Sequence, residues 1–198
     1  VRVVLPLHGT LRRRPRFRRS AQATHKLRLV QVSDLHIGRA IKEGYVRKVV
    51  EMINAQQADL ACFTGDIGDG NIAELRSDAA PLADIQTRHG VYYVPGNHEY
   101  YWGMTEWIKE FTALGMKAVI NRGETIQTKD LSLFVAGVSD PTAARFAGEL
   151  PKIPKPEKTN FSLLLVHQPL FARSAASLGS DLMLAGHTHG GQYIPWSW

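Results

Sequence analysis

Residues 58–69 read ADLACFTGDIGD. An apolar run of strand length ends on a glycine and then delivers two aspartates, Asp66 and Asp69. Four further stretches share this layout of an apolar run followed by polar, ligand-type side chains: SDLH at 33–36, GNHE at 96–99, LVHQP at 165–169 and GHTHGGQ at 186–192. The five stretches carry Asp34, Asp66, Asn97 and five of the eight histidines of the chain: His36, His98, His167, His187 and His189. Carboxylates and imidazoles gathered without a thiol point to a hard or borderline divalent metal. Asp34 and His36, and again His187 and His189, are two residues apart. In extended chain such a pair projects to one side and can reach one ion.

Around these stretches the pattern alternates strand and helix. Strands are expected over 27–32, 58–64, 91–94, 118–120, 124–127, 131–138, 161–166 and 182–185. Lys129 and Asp130 read as a hairpin turn. Helices are expected over 42–55, with Tyr45, Val49, Met52 and Ile53 at helical spacing; over 72–86, with Asn71 as N-cap and a break at Pro81; over 105–114, with Trp107, Ile108 and Phe111 on one side; and over 170–178. The Pro- and Lys-rich segment 151–158 reads as an exposed loop. The order implies a layered α/β fold with mixed sheets. Sites in open α/β sheets form beyond the carboxyl ends of the strands, where the five stretches fall.

The 198 residues are enough for one domain with a sizeable core. The single cysteine, Cys62, excludes a disulfide framework and a Cys-rich zinc module, and its apolar surroundings imply a buried, inert thiol. No apolar run approaches the roughly 18 residues that span a membrane. The net charge of +6 is unevenly placed. Residues 1–28 hold nine of the 24 bases and none of the 18 acids, so the rest has 15 bases against 18 acids, a net of −3. The chain therefore divides into a basic N-terminal arm, 1–26, and a domain, 27–198. Such an arm suits an anionic membrane surface or a solvated loop. The acidic balance of the body argues against a nucleic-acid partner. The start at Val1 and the end nine residues past His189 read as a fragment whose C-terminal sheet edge is incomplete.

The set D-x-H, G-D-x-x-D, G-N-H-E, V-H and G-H-x-H, spread over positions 34–189, resembles the calcineurin-like metallophosphoesterase superfamily. GNHEYYWG (96–103), HQP (167–169) and GHTHGGQ resemble its bacterial membrane-associated phosphodiesterase branch. The resemblance implies a four-layer α/β/β/α sandwich and a membrane-proximal setting. It implies two divalent ions (Mn, Fe or Zn), one held by Asp34, His36, Asp66 and His189, the other by Asp66, Asn97, His167 and His187. It also implies phosphodiester or phosphomonoester hydrolysis by a metal-bridging hydroxide, with His98 as the acid for the leaving group. Protein phosphatases of the superfamily place an arginine after the second motif. Here that residue is Gly70, which shifts the expectation to small or lipid-linked esters. The rival readings are a nuclease with the same centre, a non-catalytic scaffold, and a membrane-binding module. Asp69 is expected either to orient His36 or another ligand, or to cap the turn before Asn71. Tyr100, Tyr101 and Trp102 either line a leaving-group pocket or pack beneath the site. Gly65, Gly96, Gly186, Gly190 and Gly191 are expected to supply positive φ at the strand ends.

Overall fold

The computed structural model describes residues 2–6, 24–128 and 131–189. Among these described residues, nine strands form two sheets. The first has the order β1 (Arg2–Pro6), β2 (Thr24–Val32), β3 (Leu60–Thr64), β4 (Val91–Val94) and β5 (Met116–Ala118). Within it β1 runs antiparallel to β2 and the other neighbours are parallel. The second has the order β6 (Arg122–Gln127), β7 (Ser132–Gly137), β8 (Phe161–Leu165) and β9 (Leu182–Leu184). Here β6 and β7 make the expected antiparallel hairpin, and β7, β8 and β9 are parallel.

Side-chain parity along the strands builds the layers. On the first sheet Leu29, Leu60, Cys62, Tyr92 and Val94 face inward. They pack against Leu133, Val135, Leu163 and Leu165 of the second sheet. The alternate residues Ala61, Phe63, Val91 and Tyr93 face the helices α1 (Glu43–Ala55), α2 (Ile72–Ala79) and α4 (Met104–Ala113). On the far side of the second sheet, Phe134, Ala136 and Leu164 pack on Ala175 of α6 (Ala172–Leu178). The result is the four-layer α/β/β/α sandwich with mixed sheets. Burial pushes the Cys62 thiol up to about 12, so it stays protonated and inert.

Several sequence expectations shift. In α1 the buried stripe is Val46, Val50 and Ile53, spaced i, i+4, i+7, whereas Tyr45 and Met52 are exposed. The expected 72–86 helix ends at Ala79 and passes into a 3-10 turn, Ala80–Asp84, with Pro81 in its first turn. The fifth strand lies at Met116–Ala118, two residues before the expected span. Two short helices, α3 (Asn97–Tyr101) and α5 (Ala143–Phe146), were not expected. The turn residues Lys129 and Asp130, and most of the basic arm including Arg12–Arg14, Arg16, Arg18 and Arg19, lie outside the described residues.

Candidate metal centre

The parallel strands β2, β3, β4, β8 and β9 of the two sheets end at one rim, and the chain turns there sharply. Asp34, His36, Asp66, His187 and His189 all adopt positive φ, between 48° and 71°. The extended-chain argument for D-x-H and H-x-H therefore does not hold. Each of these residues sits in the left-handed region, and the side chains converge because the backbone curls after the strand. Aspartate and histidine are among the residues enriched there, but each such position costs about 1–3 kcal/mol and persists only when its surroundings over-determine it.

Here the surroundings do so. The amides of Asp34 and His36 donate to the carbonyls of Gly65 and Asp66 at 3.0 Å each. The His187 amide donates to the Asp34 carboxylate at 3.0 and 3.1 Å. The His98 amide donates to Asp66 Oδ1 at 2.9 Å. Of the glycines expected to supply positive φ, Gly65 does so, at 86°. Gly96 and Gly186 instead serve close approach: a Cβ at Gly96 would collide with the Asp66 carboxylate, and one at Gly186 with the Ser33 hydroxyl. Gly190, Gly191, Gln192 and Tyr193 lie outside the described residues.

The seven expected ligands and His98 come together. Three groups of donors lie with their atoms within 4.8 Å of one another: Asp34, His36 and His189; His36, Asp66 and His98; and Asp66, His167 and His187. Ring nitrogens face each other at 3.4 Å between His36 and His189, and at 3.1 Å between His167 and His187. His167 Nε2 also lies 3.2 Å from both Asp66 Oδ2 and Asn97 Oδ1. Ligands at metal–nitrogen distances of about 2.0–2.1 Å stand about 3–3.4 Å apart around one ion. Nitrogens at that spacing, with carboxylates between them and no Lys or Arg in the cavity lining among the described residues, fit shared cations.

The electrostatics agree. Burial would lower the pKa of His167, but Asp66 and the Thr64 carbonyl raise it to about 9, so the cluster draws in positive charge. Burial works to raise the Asp66 carboxyl, yet His167 and His98 hold it below its ordinary value. His36 is lowered by burial and by the neighbouring His98 and His189, against Asp66 and Asp69, which favours the neutral form that ligates metal.

The outer contacts show what the motifs left open. Asp69 Oδ1 takes His98 Nδ1 at 2.8 Å and Trp102 Nε1 at 3.0 Å, while its other oxygen is 3.9 Å from His36 Nδ1. Asp69 thus orients His98, and the turn before α2 is capped by Asn71, whose side chain accepts from the Ala73 amide at 2.9 Å. His167 Nδ1 pairs with the Thr64 carbonyl at 2.8 Å, across the gap between the sheets. The aromatic triplet divides: Tyr100 is buried, and Tyr101 and Trp102 are about half exposed at the mouth.

Two residues escaped the motif reading. Glu99 is wholly buried and accepts four backbone amides, from Asp66, Ile67, Gly68 and Gly96 at 2.6–3.0 Å. Burial, and then the Asp66 charge, push its carboxyl up to about 7 against those four donors. The signal was its place three residues after Gly96, where a glutamate reaches back to the N-cap amide. Gln31 donates to Thr64 Oγ1 at 2.9 Å and to the Ala185 carbonyl at 2.8 Å, joining the sheets beneath the site. A glutamine in an apolar strand is the only sequence trace of that role.

The calcineurin-like phosphoesterase family matches residues 27–191. The chain belongs to this family. An uncharacterized metallophosphoesterase of Helicobacter pylori strain J99 is 34% identical over 177 residues, covering 87% of this chain and 47% of its own. A transmembrane protein with metallophosphoesterase domain from Danio rerio is 32% identical over 187 residues, covering 88% and 43%. The chain spans less than half the length of both relatives. The NAD nucleotidase of Haemophilus influenzae superposes with a TM-score of 0.56 at 15% identity, over 82% of this chain and 38% of its own, and shares the fold. The chain thus spans a calcineurin-like phosphoesterase domain. Among its described residues no helix is long and apolar enough to cross a membrane.

Proposed function

We propose that this metallophosphoesterase hydrolyses phosphodiesters or phosphomonoesters, small or lipid-linked, at two divalent ions drawn from Mn, Fe and Zn. The observation that carries the reading is the position of Asp66. It belongs both to the donor group with His36 and to the group with His167 and His187. Asp34, His36, Asp66 and His189 would hold one ion; Asp66, Asn97, His167 and His187 the other. Divalent ions bound there supply Lewis acidity and water activated near neutral pH.

The chain's own contribution is positioning and proton transfer. Asp69 holds Nδ1 of His98, which turns Nε2 towards the cluster, 4.0 Å from Asp66 Oδ2. A proton held at that Nε2 passes to the departing oxygen of the ester, and the Asp69 carboxylate, through its contact with Nδ1, keeps the ring in the orientation that transfer needs. The neutral Asn97 amide ligates without cancelling the cluster's affinity for an anion. Backbone amides tie Asp34 and Asp66 in place, so little reorganises during the reaction. The basic arm and the transmembrane relatives support a membrane-proximal setting.

Elemental analysis of the purified chain, with assays on a chromogenic diester and monoester, tests this. The expected result is two metals per chain and hydrolysis of at least one ester. Asp66→Ala should lose metal and turnover together. His98→Ala should keep the metals and lose about 10²–10⁴-fold in rate, the usual contribution of a general acid. Full activity in both variants would remove the mechanism.

A further inference from the structure

The phosphate centre leaves a larger space beside it unexplained. The cavity around the ligand cluster measures about 420 Å³, and a groove of about 860 Å³ adjoins it, sharing His36 and Asp69 as lining. A metal-held phosphoryl group needs only the smaller space, whereas the groove is within the about 300–1,000 Å³ typical of pockets for organic ligands.

Charge in the groove is unevenly committed. Gly70, where protein phosphatases of the superfamily carry an arginine, lines the groove with no side chain, and a Cβ there would stand 2.8 Å from Leu75 Cδ1. The turn between β2 and α1 contributes two cations instead, Arg39 and Lys42. Lys42 is tied to Asp78 at 2.9 Å. Arg39 is exposed and makes no ion pair or side-chain hydrogen bond among the described residues. Of the two acids that line the groove, Asp69 is engaged by His98 and Trp102, and Glu74 does not pair with Arg39. The Trp102 indole, fixed through its Nε1 on Asp69, stands as a preset wall of the groove. Arg39 thus brings a guanidinium fork with its donors unspent to a groove that shares His36 and Asp69 with the cavity of the donor cluster.

We propose that this groove binds the organic substituent of the phosphate ester and that Arg39 selects substituents bearing a second anionic group, a phosphate or a carboxylate. The inference rests on the phosphoesterase reading and names the substrate class for it.

Calorimetric titration of the Mn²⁺-loaded chain with three ligand series of graded alkyl length tests it: monophosphonates, α,ω-bisphosphonates and ω-carboxyphosphonates. At one spacer length a doubly anionic ligand should bind roughly 10- to 100-fold more tightly than the monophosphonate, the range of one charge-assisted hydrogen-bonded contact. Arg39→Gln should reduce that ratio to within about twofold of one. Which doubly anionic series gains more tells phosphate from carboxylate. No gain at any length, or a gain that survives Arg39→Gln, overturns the proposal while monophosphonate binding leaves the phosphoesterase reading standing. Absence of monophosphonate binding overturns both.

Discussion

Glu99 is the residue on which the centre rests, although it faces no substrate. Each of its oxygens accepts two backbone amides, and three of the four amides belong to the GDIG turn that carries Asp66. Glu99→Gln would turn one oxygen into an NH₂ group that faces two donors. Two buried amides left without an acceptor cost about 1–3 kcal/mol each, so a loss of about 2–6 kcal/mol is expected in urea unfolding of the metal-free chain. A variant within 0.5 kcal/mol of the parent would show that the turn does not depend on this carboxylate. The motifs named the groups that reach the cluster but not the one that holds their backbone. A ligand has to be a particular residue type at a fixed place, whereas a buried acceptor of backbone amides leaves a single unremarkable glutamate in the sequence.

In helix α2 local signals fix both ends. Asn71 as N-cap and Pro81 as the end of regular helix were both legible, because capping and the missing proline N–H act within a few residues. Asn71→Ala should cost about 1 kcal/mol, and Asn71→Asp should recover most of it, read as midpoint shifts in the same unfolding assay. Equal midpoints for all three chains would rule out the cap. The face of α1 was not legible in the same way. Tyr45, Val49, Met52 and Ile53 are apolar and helically spaced, yet the sheet covers Val46, Val50 and Ile53. Two overlapping apolar stripes run along that helix, and packing against the first sheet and the neighbouring helices decides which one is buried. Helix α3 is five residues long, too short for any periodicity to register, and it exists because the GNHE turn must present Asn97 and His98 together.

At the scale of the whole molecule the centre is a joint between two sheets. Asp34, His36, Asp66 and Asn97 follow strands of the first sheet; His167, His187 and His189 follow strands of the second. Metal binding should therefore clamp the sandwich. With free Mn²⁺ at about 100 times its dissociation constant, stability should rise by about 2.7 kcal/mol, and chelation should reverse it. Calorimetric midpoints with metal and with chelator check this, and coincident midpoints would contradict a ligand set shared between the sheets. The order of the main strands and helices, though not β1, α3 and α5, was legible in the sequence, as were the layered α/β class and the identity of the ligand-type side chains. These depend on local periodicity and on residue chemistry that few other positions can supply. The left-handed turns that bring the donor side chains together, the assignment of Asp69 to His98, the Glu99 and Gln31 contacts across the fold and the groove at Arg39 come from the tertiary structure. Each of these requires two segments distant in sequence to meet. Which of the available partners a polar group takes is settled by the packing of one sheet on the other, not by the order of residues along either.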